Sequence, residues 1–231
     1  MKEGDFILME FTGRVKLTGE IFDLSSEEEA KKQGIYNEKQ KYGPGLVVIG
    51  AKMAMPGVEE QLKEMKPGEE KEFEVPSAKA FGPRNPKLIK IISINNFYKQ
   101  NLNPVPGAFI NIDNRDCKIK TVSGGRVMVD FNHPLAGKDL LYKAKIVKKI
   151  TDTKEKADKL LDYYGLKCES LDQEKGIISV KTDKPIPPAF QKIFEQNIKK
   201  WIPEIKKIKF SAKAEAKKAK PEALKKEEEK S

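Results

Sequence analysis

Residues 46–65 read LVVIGAKMAMPGVEEQLKEM, and the reading of the fold turns on this stretch. Residues 46–49 are consecutively apolar, as in a short buried strand. Pro56 stands where the first turn of a helix tolerates a missing N–H. Behind it Val58, Leu62 and Met65 recur at i, i+4 and i+7, which places them on one helical face. Residues 66–69, KPGE, break that helix with Pro and Gly. Residues 70–75, EKEFEV, then alternate charged and apolar side chains like a half-buried strand.

Upstream, residues 4–24 read as two strands. Phe6, Leu8 and Glu10 alternate with Ile7, Met9 and Phe11, and turn chemistry falls at Thr12-Gly13 and at residues 17–20. Residues 25–41 form a charged connection with a short helix starting at Ser25 or Ser26, whose hydroxyl suits an N-cap. Downstream of Phe81-Gly82-Pro83 the texture changes. Residues 88–131 hold many Asn, Pro and Gly, with β-like runs at 108–113 and 126–131, and read as a small strand-rich unit of their own. A long alternating strand is expected over 139–150. From residue 151 the pattern is α-β-β-α-β, and its second helix groups Phe190, Ile193, Phe194 and Ile198 on one side. Residues 211–231 are almost only Ala, Lys and Glu and read as a solvated or disordered tail.

The 231 residues, 38% of them hydrophobic, suffice for a core and for one to three domains. The N-terminal residues lack the apolar core of a signal peptide, and no run approaches the ~20 residues of a membrane helix. A soluble, cytoplasmic protein with no membrane partner is expected. Cys117 and Cys168 lack CxxC spacing and read as reduced, buried thiols. The net charge of +10 divides evenly, with 25 basic against 20 acidic residues over 1–150 and 20 against 15 over 151–231. Charge so evenly interleaved does not form the basic stripe of a nucleic-acid binder, so nucleic acid is not expected as a partner.

Most catalytic chemistry is hard to build here. One His excludes His-cluster metal sites, and GxSxG, GxGxxG and Walker patterns do not occur. His133, in the stretch NHPLAG, reads as structural. No metal and no cofactor are expected, and an enzyme with this sequence would need little acid–base machinery.

Six short motifs in register change this picture: Phe11-Thr12-Gly13, Phe22-Asp23-Leu24-Ser25-Ser26, Gly50, residues 54–60 (AMPGVEE), Ala80-Phe81-Gly82 and Leu141-Tyr142-Lys143-Ala144. Together they resemble the FKBP-type peptidyl-prolyl cis/trans isomerases. The unit at 88–131 resembles the insert-in-flap chaperone domain of SlyD-like members, NHPLAG resembles their re-entry sequence, and the third unit resembles that of long-chain archaeal members. The resemblance implies an α+β fold. An antiparallel sheet would wrap a short helix, with an inserted β-rich domain and a C-terminal α-β-β-α-β domain. The implied domains are 1–87 with 132–150, then 88–131, then 151–210, followed by the tail.

The resemblance further implies an apolar catalytic pocket of Phe11, Phe22, Asp23, Val47, Ala54, Met55, Val58, Phe81, Leu135 and Tyr142. Asp23 would be its one charged group, and the Met55 backbone N–H would hold a substrate carbonyl. Ile91, Ile92, Ile94, Phe97, Tyr98 and Phe109 are expected to offer unfolded clients an exposed apolar groove. The implied partners are unfolded or nascent proline-containing polypeptides; separately, the helix carrying Phe190, Phe194 and Trp201 could bury against a partner, and a homodimer contact through the C-terminal domain is expected. Phe11 and Phe81 stand where the family commonly has Tyr, so two hydroxyls are missing. The tail lacks the His and Cys of SlyD proteins, so their nickel binding is not implied. The competing reading is a basic ribosome- or RNA-associated protein built on a weak isomerase domain.

Overall fold

The computed structural model describes residues 1–172, 175–182 and 185–212. The expected tail lies outside the described residues from 213 onward, as does the Cys168 side chain. The chain begins with β1 (Phe6–Val15) and β2 (Ile21–Leu24), followed by α1 (Glu27–Lys32). Ser26 caps α1, its hydroxyl oxygen accepting the Glu29 N–H at 3.2 Å. Thr12-Gly13 is not a turn: β1 runs through it, because Thr12 and Gly13 pair with β2 on one side and with a long later strand on the other.

Next come β3 (Gly45–Val48), α2 (Pro56–Glu64) and β4 (Glu70–Val75). Val58 and Leu62 of α2 are buried, together with Met65 just beyond it, against Ile7, Met9, Ile49, Phe73 and Val75. Gly57 lets the helix approach closely, since an added Cβ would lie 2.6 Å from Val75 Cγ1. The inserted segment then folds as β5 (Ile89–Ser93), α3 (Ile94–Tyr98), β6 (Phe109–Ile112), β7 (Arg115–Ser123) and β8 (Arg126–Asp130). It forms its own four-stranded sheet in the order β5-β8-β7-β6. Two of these strands escaped sequence reading. In β7 only Cys117 and Ile119 are buried, so its mostly polar sequence alternates over too few residues to read as a strand.

β9 (Leu140–Ile150) returns to the first sheet, whose order is β2-β1-β9-β4 with β3 also paired to β1. The final unit contains α4 (Thr153–Tyr163), β10 (Lys167–Asp172), β11 (Ile177–Thr182), α5 (Pro188–Trp201) and β12 (Lys207–Ala212). It shares a core with the first sheet. Phe6, Val48 and Ile150, all essentially unexposed, join Leu160, Leu161, Ile178 and Ile198. β1 is therefore apolar on both faces because both are covered, Ile7 and Met9 by α2 and Phe6 by the C-terminal unit.

The insert joins the first sheet through two crossing chain segments held by polar contacts. The Arg84 guanidinium pairs with the Asp130 carboxylate. Asp130 Oδ1 accepts from the Asn132 side-chain amide at 2.7 Å, and Asn132 Oδ1 accepts the Asn85 N–H at 2.8 Å.

Candidate functional site

Strand register sets the floor of an aromatic cleft. Asp23, Gly13, Tyr142 and Phe73 stand opposite one another across β2, β1, β9 and β4. Gly13 leaves a gap in this row that rings fill: an added Cβ there would lie 2.6 Å from Phe22 Cζ and 3.0 Å from Tyr142 Cζ. Phe22 is the extra residue of a β-bulge, since Gly13 pairs with Asp23 while Arg14 pairs with Ile21. Bulges bend a strand and re-aim a side chain. The Phe22 ring meets Tyr142 edge-on at 5.8 Å and Phe81 edge-on at 6.1 Å. Tyr142 also stacks with Phe11 and Phe73, each at 6.2 Å.

Neighbouring polar contacts hold these walls. The Ser25 hydroxyl oxygen accepts the Phe11 N–H at 2.8 Å, which pins the strand carrying that ring. Glu59 accepts the Gly50 N–H at 3.1 Å, fixing the start of α2 to the loop after β3. Glu60 pairs with Lys79 at 2.6 Å, tying α2 to the short turn Ser77–Lys79 that leads into Phe81. Met55, immediately before α2, has a backbone N–H that donates to nothing among the described residues.

Asp23 sits at the mouth with its side chain open to solvent. Protein packed on its inner side nevertheless raises its pKa, desolvation outweighing the hydrogen bond from the Leu24 N–H. Burial, and then the nearby Asp23 charge, push the Tyr142 phenol far up, so it stays protonated. No buried side-chain polar atom among the described residues lacks a partner, and Tyr142 makes no hydrogen bond to those residues, so its hydroxyl opens onto the cleft. Among those residues no group of three or more His, Cys, Asp or Glu is placed to hold a metal.

Phe11, Phe22, Ala54, Met55, Phe81 and Leu135 are partly buried around the cleft, whereas Val47, Val58 and Tyr142 belong to the buried core beneath it. The six residues expected to form one groove on the insert do not come together. Phe97 is 2% exposed and plugs the insert core, with Ile92 and Ile94 packed against it. Ile91 and Tyr98 remain exposed. Phe109 alone reaches the cleft. It lines a groove of about 400 Å³ with Phe22, His133 and Leu135, and this groove adjoins a second of about 710 Å³ that shares Phe109, His133 and Pro134. His133, read as structural, stacks on Phe81 with centroids 4.4 Å apart and planes at 5°. No sequence signal pointed to it except its place in the NHPLAG re-entry stretch.

This arrangement can enclose an apolar ring and offer few hydrogen-bond donors, and it lacks a nucleophile. Comparison with known proteins agrees with that chemistry. A family model described as FKBP-type peptidyl-prolyl cis-trans isomerase matches residues 1–95, and one described as FKBP26, IF domain, matches residues 90–135. The chain is 33% identical over 146 residues to a short-type peptidyl-prolyl cis-trans isomerase of Methanocaldococcus jannaschii, covering 63% of this chain and 92% of that protein. It is 30% identical over 109 residues to a probable FKBP-type 16 kDa peptidyl-prolyl cis-trans isomerase of Pseudomonas fluorescens, covering 45% and 71%. With the SlyD isomerase of Helicobacter pylori the identity is 27% over 127 residues, covering 52% and 69%. The aromatic cleft thus sits in a chain that belongs to the FKBP-type peptidyl-prolyl cis-trans isomerases.

Proposed function

We propose that this isomerase acts on unfolded or nascent proline-containing chains in the cytoplasm and also holds them against aggregation. The reaction is rotation about an X–Pro amide, whose barrier of ~18–20 kcal/mol comes from lost resonance. The planar amide is more polar than the twisted one, so a dry aromatic cleft favours the twisted form. In this reading Phe11, Phe22, Phe81 and Tyr142 enclose the proline ring, with Ala54 and Leu135 completing the walls and Val47 and Val58 supporting them from the core beneath. The free N–H of Met55 holds a client carbonyl, and Asp23 is the charge beside the rotating one.

The observation behind the holding activity is the groove that Phe109 of the insert shares with Phe22 and Leu135 of the cleft. A client bound along it presents its prolines at high local concentration. Replacing residues 88–131 by a short linker is expected to reduce catalysis of a proline-limited refolding reaction far more than turnover of a proline tetrapeptide. Equal losses on both substrates overturn the reading. For the C-terminal unit we propose a contact between two copies, supported by the exposed Phe190, Ile193 and Tyr163. Trp201 is partly buried against the shared core. A monomeric mass by light scattering removes this contact.

A further inference from the structure

We propose that Arg84 and Asp130 are positioning residues of this isomerase. Their ion pair clasps the two chain segments that cross between the sheets and so holds Phe109 of the insert over the aromatic cleft. The inference rests on the reading that the insert delivers clients to that cleft. Little else sets the angle between the two units. Among the described residues their buried cores share no member, and no strand of one sheet pairs with the other. Yet Phe109 and Lys118 of the insert line one groove with Phe22 and Leu135 of the cleft, so the groove depends on how the insert is turned.

The outgoing segment 82–88 and the returning segment 130–137 are stitched together along their length. The Gly137 N–H donates to the Gly82 carbonyl at 2.8 Å, and the Phe131 N–H donates to the Leu88 carbonyl at 3.0 Å. Between these rungs side chains take over. Asn132 Oδ1 accepts the Asn85 N–H at 2.8 Å, while its amide nitrogen donates to the Asn85 carbonyl at 3.0 Å. Asp130 anchors that side chain. Its Oδ1 accepts from the Asn132 backbone N–H at 3.0 Å and from the side-chain amide at 2.7 Å, and its Oδ2 meets the Arg84 guanidinium. The Asp130 side chain is only 7% exposed. A carboxylate buried that far is costly without its cation, so removing Arg84 loosens the whole clasp. Apolar burial is non-directional, whereas hydrogen bonds and ion pairs of this geometry fix an angle.

In the full chain, residual dipolar couplings of backbone amides report the relative orientation of the two sheets. In the wild type both sheets are expected to fit one alignment tensor. In Arg84→Met and in Asp130→Asn the insert is expected to fit a separate, weaker one while its own amides keep their exchange protection. KM for a proline-limited unfolded protein is expected to rise about 3–10-fold in each, the factor by which the fraction of molecules with Phe109 over the cleft falls. The kcat on that protein and kcat/KM on a proline tetrapeptide are expected to stay at wild-type values. Because the two residues act as one pair, the double variant is expected to do no worse than either single one. Arg84 lies outside the insert's sheet, so Arg84→Met decides the matter if Asp130→Asn weakens the insert itself. A shared tensor in Arg84→Met, an unchanged KM, or equal losses on protein and tetrapeptide each overturns the assignment. If replacing 88–131 by a linker harms the protein client preferentially while Arg84→Met does not, the clasp fails and the reading of the insert stands. If the linker harms both substrates equally, that reading fails and the role of the clasp with it.

Discussion

At Gly13 the space left by a missing side chain shapes the cleft. A methyl group there would press on Phe22 and Tyr142 at 2.6 and 3.0 Å, so Gly13→Ala displaces both rings. Overpacking of this kind costs ~1–3 kcal/mol. The variant is expected to lose activity on a proline peptide together with a lower urea midpoint. Full activity would show that the rings need not stand where they do. Asp23 gives a pH-dependent counterpart. Its pKa is raised in the folded chain, which therefore keeps a proton that the unfolded chain has already released. That contribution to stability is full below the unfolded carboxylate value of ~3.9 and is lost as pH rises through the folded pKa. Asp23→Asn is expected to gain on the wild type over that window and hold its lead near neutrality. Urea midpoints across a pH series check this, and a lead that shrinks with rising pH contradicts it. Neither role could be read from residue type. Gly13 looked like a turn residue, and Asp23 takes its environment from strands distant in the chain.

The elements differ in how far local pattern revealed them. α2 was legible because its apolar residues recur at helical spacing and Pro and Gly bound it. β9 was legible because it alternates from Leu140 to Val147, as its burial shows. In the insert the pattern is patchier: β6 and β8 fall within runs that read as strands, whereas β5 and β7 do not, because a core of only five buried residues imposes little periodicity on them. Phe97 was expected to face clients, but the short helix α3 turns it inward. Removing so large a buried ring costs ~3–5 kcal/mol. Phe97→Ala is therefore expected to speed hydrogen exchange throughout the insert while the first sheet keeps its protection and tetrapeptide turnover persists. Exchange unchanged in the insert would place Phe97 outside its core.

For the whole molecule, the shared core makes the C-terminal unit part of the enzyme's stability. Phe6, Val48 and Ile150 are buried against Leu160, Leu161 and Ile198, and each large apolar side chain so buried contributes ~1.5–3 kcal/mol. A chain ending at residue 150 would expose that face of the sheet. It is expected to unfold at lower temperature than the full chain and to aggregate, as calorimetry and light scattering would detect. Polar replacements at Phe6 and Val48 are expected to restore its solubility. Unchanged thermal stability on truncation would mean that the two units fold independently.

Sequence alone determined the order of the elements outside the insert, the single short helix beneath the sheet, the α-β-β-α-β pattern at the C-terminal end and the six motifs that mark the family. These are local properties: the 3.6- and 2-residue periods, turn residues and short strings survive in a linear reading. Tertiary structure alone decided three other things. It covered both faces of β1, it buried Phe97 while bringing Phe109 to the cleft, and it laid His133 on Phe81. Each depends on contacts between residues far apart in the chain, where burial follows from packing and register and leaves no periodic trace. The one His that excluded metal clusters at the outset thus stands at the wall of the cleft, placed there by a turn and two backbone hydrogen bonds.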